Sequence, residues 1–174
     1  MMRCVNNGLL TVSNPKMSLA LVTNCSYSTC SAISPFAGNT SAFKWDDECA
    51  ATLSQIVQAA GASLVLMSSW RQDDARMRRM PELLATHSLP PLLGVTPVLG
   101  KEHSARGDEI LQWLEANGGA RPWVAIDDGP LHVRQYKHDV AARQLKLRHV
   151  RTSSAQGLTA ALAEVAIDLL TRGM

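Results

Sequence analysis

The stretch Trp123-Val-Ala-Ile-Asp-Asp-Gly129 constrains the fold of this chain more than any other. A short apolar run bounded by turn residues suits a buried strand. This one ends in two adjacent carboxylates and a glycine. The carboxyl ends of strands are where open α/β sheets receive their ligands. Neighbouring aspartates in a half-dry site repel each other unless a cation or a base shares the charge. A hard, oxygen-liganded ion such as Mg²⁺ suits that place. The competing reading is turn chemistry, since Asp also favours helix N-caps and Asx turns.

A length of 174 residues suits one domain with a real core. A net charge of +2 calls for neither a nucleic-acid nor a membrane partner. No apolar run approaches the roughly 20 residues that span a bilayer. Cys4, Cys25, Cys30 and Cys49 lack metal-site spacing and a matching histidine pair. They read as reduced thiols of a cytoplasmic chain. His87, His103, His132, His138 and His149 also lack ligand spacing and read as solvated.

The chain changes character near residue 42. Before that point it is rich in Ser, Thr and Asn and carries no acid; the first is Asp46. Residues 1–41 therefore read as an irregular leader, and 42–174 as the folded domain. Asp46 or Asp47 caps a helix through Leu53, Ile56, Val57 and Ala60, stopped by Gly61. Ser63–Met67 is a compact apolar strand ending at Ser68-Ser69-Trp70-Arg71. Residues 73–80 form an arginine-rich surface helix, and Pro81 opens a second short one through His87. Pro90-Pro91 forces an extended turn before Leu92–Leu99, a strand or extended segment broken by Pro97. Arg106–Asn117 is a helix with Asp108 and Glu109 in its first turn and Gly118-Gly119 at its end. His138–Leu145 reads as helical. Leu147–Arg151 alternates apolar and basic residues, as an edge strand does. Gly157–Thr171 is the last helix.

Alternating helices and strands argue for a parallel sheet with helices on both faces. Right-handed crossovers gather every strand's carboxyl end on one edge. That edge carries Ser68, Ser69, Arg71, Asp127 and Asp128, with the helix at Arg106 close by. Hydroxyl, guanidinium and carboxylate groups around a metal are what phosphoryl chemistry uses. Trp70 and Trp113 fit packing better than base stacking. Arg76-Met77-Arg78-Arg79 fits an exposed face better than a phosphate-backbone contact.

Leu64–Arg71, Arg106-Gly107-Asp108-Glu109-Ile110, Val124–Asp128 and Gly157-Leu158-Thr159, in that order and spacing, resemble the haloacid dehalogenase-like (HAD) superfamily. The nearest branch is the HAD domain of Swiss army knife RNA repair proteins. The resemblance covers residues 42–172 and implies a Rossmann-like parallel sheet without a sizeable cap domain. It implies Mg²⁺-dependent phosphoryl transfer through an aspartyl-phosphate, on a phosphorylated small molecule or a nucleic-acid end. By this resemblance Ser68 holds the phosphate, with Ser69 as the fallback. Arg106 is the charge-balancing base, with Lys101 second, and Arg71 reaches the phosphate or is solvated. Asp127 and Asp128 hold Mg²⁺.

The chain departs from the family at the first motif, Asp-x-Asp-Gly at the end of an apolar strand. The nearest trace, Val5-Asn6-Asn7-Gly8-Leu9-Leu10, puts valine at the nucleophile and an amide at the acid/base position. Neither residue can do that chemistry. Only four residues precede Val5, so the family's first strand is missing, or Leu19–Val22 replaces it as a makeshift. Either the domain is a non-catalytic relic, or the first 41 residues are not the natural N-terminus but the result of a shifted frame or wrong start. The acid-free leader favours the second. A non-enzymatic α/β domain with a vestigial pocket, or with a partner-binding role, is the alternative to a phosphohydrolase.

Overall fold

The computed structural model describes residues 19–22, 46–99, 106–117, 121–134, 140–153 and 155–172. Lys101, His103, Gly118-Gly119, His138, the Val5–Leu10 trace, Cys4, Cys25 and Cys30 lie outside them. In chain order the elements are β1 Leu19–Val22, α1 Asp47–Ala60, β2 Ser63–Leu66, α2 Asp74–Thr86 and β3 Leu92–Val95. There follow α3 Arg106–Ala116, β4 Trp123–Asp127, α4 Val140–Leu147, β5 His149–Arg151 and α5 Ala160–Thr171.

Local chemistry sets most of the helix ends. The Asp46 carboxylate accepts the Cys49 N–H at 2.9 Å and caps α1. Gly61 closes that helix in the left-handed region at φ 58°. Thr159 caps α5, so this helix opens at Ala160, three residues later than the sequence suggests; Gly157, at φ 65°, belongs to the turn before it. Asp74–Thr86 is one helix rather than two, with Asp73 and His87 as its caps. Pro81 sits inside α2 and removes one N–H donor. Met80 and Leu84 are buried and Met77 packs against the same core, so one apolar face spans the proline and carries the helix past it.

The five strands form one parallel sheet in the order β3-β2-β1-β4-β5. Leu19–Val22 lies at its centre. Leu19 pairs with Ser63 on one side and Trp123 on the other, and Val22 with Leu66 and Ile126. The central position is therefore filled, and of the two sequence expectations it is the replacement by Leu19–Val22, not the missing strand, that holds. It is filled from within residues 1–41. A four-residue apolar run is too short to announce itself by periodicity, but two parallel ladders satisfy its backbone on both sides. β5 is an edge strand, as its alternating apolar and basic residues suggest.

Side chains alternate across the sheet and split the core in two. Leu64, Leu66, Val124, Ile126 and Val150 pack with α1, α2 and α5. Val65, Met67, Trp123 and Ala125 pack with α3 and with Leu145 of α4. Trp70 joins the first cluster and Trp113 the second, so both are core residues. The fold is an α/β, Rossmann-like sheet with helices on both faces, and no cap-like unit stands apart among the described residues.

Candidate functional site

The helix α3 begins beside the carboxyl edge of the sheet, and each of its first four residues has a distant partner. Arg106 Nη1 donates to Asp127 Oδ2 at 2.6 Å. The Gly107 N–H donates to the His132 carbonyl at 3.0 Å. A Cβ on Gly107 would stand 2.5 Å from that same carbonyl oxygen, so only glycine allows this approach. Asp108 is fully buried and its two oxygens accept the Arg134 N–H, at 3.1 and 2.9 Å. Glu109, also buried, meets Arg71 at 2.6 Å and accepts the Leu99 N–H at 3.3 Å. The first-turn acids look in the sequence like simple complements to the helix dipole. Here they tie α3 to the loops after β3 and β4.

Asp127 is the last residue of β4 and has no exposure. Its Oδ1 accepts the Gly129 N–H at 2.7 Å, and its Oδ2 takes Arg106. Its carbonyl accepts the Thr152 N–H at 2.9 Å and lies 3.3 Å from His149 Nε2. Burial pulls the His149 pKa below its ordinary value, against the raising effects of the Asp127 carbonyl and charge. His149 is therefore half-buried beside Asp127 rather than solvated. Spacing within the sequence gave no signal for this, because the contact is made across two paired strands. Asp128 points into solvent, and its carbonyl takes Arg151 Nε at 3.3 Å.

At the end of β2, Ser68 is buried and its hydroxyl caps the following 3-10 turn by accepting the Trp70 N–H at 3.2 Å. Ser69 is exposed. It lines a cleft of about 220 Å³ with Arg71, Gln72, Arg106 and Glu109. The hydroxyl on the cleft wall thus belongs to Ser69, the fallback, while Ser68 is buried and caps the turn. Arg71 departs from both sequence expectations, phosphate contact and solvation. A guanidinium has five N–H donors. These go to Thr96 O, Met67 O, Ser68 O, Pro97 O and Glu109 Oε2, at 3.0, 2.7, 2.8, 3.2 and 2.6 Å. No donor is left for a phosphate. Burial lowers the Arg71 pKa, Glu109 raises it, and the nearby Arg106 charge lowers it slightly. Arg106 is different: its side chain is 36% exposed, and only Nη1 is bonded among the described residues.

The donor set fits Mg²⁺ poorly. Of the two expected carboxylates, one is buried and already neutralised by a guanidinium, and the other faces solvent. Among the described residues no three His, Cys, Asp or Glu side chains form a group able to hold a metal ion. What the edge offers is a half-exposed cation, a hydroxyl and an amide around a small cleft, which suits an oxyanion. Among the described residues no helix is long and apolar enough to cross a membrane.

No curated protein and no solved structure matches the chain. A family model described as the HAD domain in Swiss Army Knife RNA repair proteins matches residues 22–163, from the end of β1 into α5. With the parallel sheet, the acid-ended β4 and the base that opens α3 in place, the chain belongs to this family of HAD domains.

Proposed function

We propose that this chain is a HAD domain whose cleft binds a terminal phosphate, on a nucleotide or an RNA end, without hydrolysing it. One observation carries the reading. The strand at the centre of the sheet comes from a segment with no Asp or Glu before Asp46, and Thr23-Asn24-Cys25 follow it in sequence. The aspartyl-phosphate route of HAD phosphohydrolases needs a carboxylate nucleophile after that strand. HAD domains generally use Mg²⁺, but no step here is assigned to a metal, because Asp127 is engaged by Arg106 and Asp128 faces solvent.

The chemistry left to the chain is recognition. Arg106 offers its unbonded guanidinium edge, and Ser69 and Gln72 complete the wall. Arg71 and Glu109 hold the loops that shape it. The test is to titrate short RNA bearing a terminal phosphate against the same RNA without it, and to examine the recovered ends. Preferential binding of the phosphorylated strand, recovered intact, supports the reading. Equal binding of both strands, or loss of the phosphate, refutes it.

A further inference from the structure

The position of Arg106 on Asp127 decides which cation this sheet edge carries. We infer that Arg106 is itself the cation of the site: a guanidinium fixed at the start of α3 holds the place on Asp127 that a divalent metal needs, and the cleft takes a phosphate oxyanion in the absence of any metal. The inference rests on the phosphate-binding reading above.

Asp127 has no exposure, so its charge needs a partner within the protein. Arg106 is that partner at 2.6 Å, while the Gly129 N–H satisfies the other carboxylate oxygen at 2.7 Å. Mg²⁺ demands near-octahedral oxygen ligands at about 2.0–2.1 Å and gives up its waters reluctantly. An ion at that range from Oδ2 would sit against the guanidinium charge. Asp128 is exposed and provides only one further carboxylate. Meanwhile the Nε–Nη2 edge of Arg106 has no acceptor among the described residues. Two parallel N–H donors of this kind match a phosphate. Ser69 and Gln72 lie on the same cleft wall. One guanidinium thus spans the two charges, with the buried carboxylate on Nη1 and the incoming oxyanion on the opposite edge.

The test is calorimetric titration of the full chain with inorganic phosphate, once in EDTA and once in excess Mg²⁺, and then with Mg²⁺ alone. The expected results are equal phosphate affinities in the two buffers and no heat from Mg²⁺ alone. Arg106→Gln should lose phosphate binding and acquire Mg²⁺ binding. Asp127→Asn, which keeps the side-chain shape, should tighten phosphate by roughly tenfold, because the guanidinium is no longer shared. Circular dichroism checks that each variant is folded, and if Arg106→Gln is not, Asp127→Asn still decides. Phosphate binding that needs Mg²⁺, or Mg²⁺ binding to the wild-type chain that Asp127→Asn abolishes, overturns this inference and leaves the phosphate pocket standing. Absence of phosphate binding in both buffers overturns the pocket as well.

Discussion

Arg71 and Glu109 meet at 2.6 Å across 38 residues of sequence, with side chains only 4% and 7% exposed. The pair joins the turn after β2 to the first turn of α3. Arg71 also holds the carbonyls of Met67, Ser68, Thr96 and Pro97, so one side chain fixes two loops and a helix start. The cleft's shape depends on this buried brace.

Removing the charge from one partner leaves the other buried and uncompensated. Glu109→Gln should destabilise the fold by about 3–5 kcal/mol, measured by urea denaturation. Arg71→Lys should not preserve stability either, because an ammonium has three donors where five acceptors wait. A Glu109→Gln chain as stable as wild type would mean that the pair does not brace the loops.

Gly107→Ala sets two effects against each other. Alanine improves helix propensity by at most about 1 kcal/mol. Its Cβ meets the His132 backbone oxygen at 2.5 Å, and the Leu145 and Val133 side chains at 2.8 Å. Overpacking of this kind costs about 1–3 kcal/mol, and a backbone carbonyl yields less than a side-chain tip. A net loss of stability is expected in thermal melts, and a stabilised variant would show that the α3 start tolerates a shift.

Much of this was legible in the sequence. Trp123–Asp127, the helix at Arg106 and the capped helix after Asp46 announced themselves by apolar pattern and end residues. The nearness of the helix at Arg106 to the edge that carries Asp127 follows from a parallel sheet with right-handed crossovers; the Arg106–Asp127 contact itself does not. Other features were legible only in part, as Leu19–Val22 was as a candidate for the central slot, or not at all, for a common physical reason: they depend on partners far along the chain. Leu19–Val22 becomes a central strand only through its neighbours on both sides. Glu109 is a brace only because Arg71 arrives opposite it, and the unbroken α2 depends on core contacts on both sides of Pro81.

The stability of the chain should fall on mild acidification, and His149 should contribute to the fall. Burial holds its folded pKa below the ordinary histidine value of about 6.5. Below that value the unfolded chain binds the proton more readily than the folded one, so stability is complete above about 6.5 and is lost as pH drops toward the folded pKa. His149→Gln should flatten that part of the pH profile. An unchanged profile would place the titrating group elsewhere.

The adjacent aspartates should behave as opposites. Asp128 is exposed, and Asp128→Asn should change stability by no more than about 0.5 kcal/mol. Asp127→Asn weakens a charge-assisted bond at a buried position and should cost about 1–3 kcal/mol. Equal effects in chemical denaturation would contradict the division of roles between them.

On the proposed reading the domain keeps a phosphate cleft and lacks the nucleophile of its family. The most direct measurement is turnover of a general phosphatase substrate by the full chain in excess Mg²⁺, compared with Asp127→Asn. No release of phosphate above the enzyme-free rate is expected for either protein. Sustained release by the wild-type chain, abolished in Asp127→Asn, would contradict it.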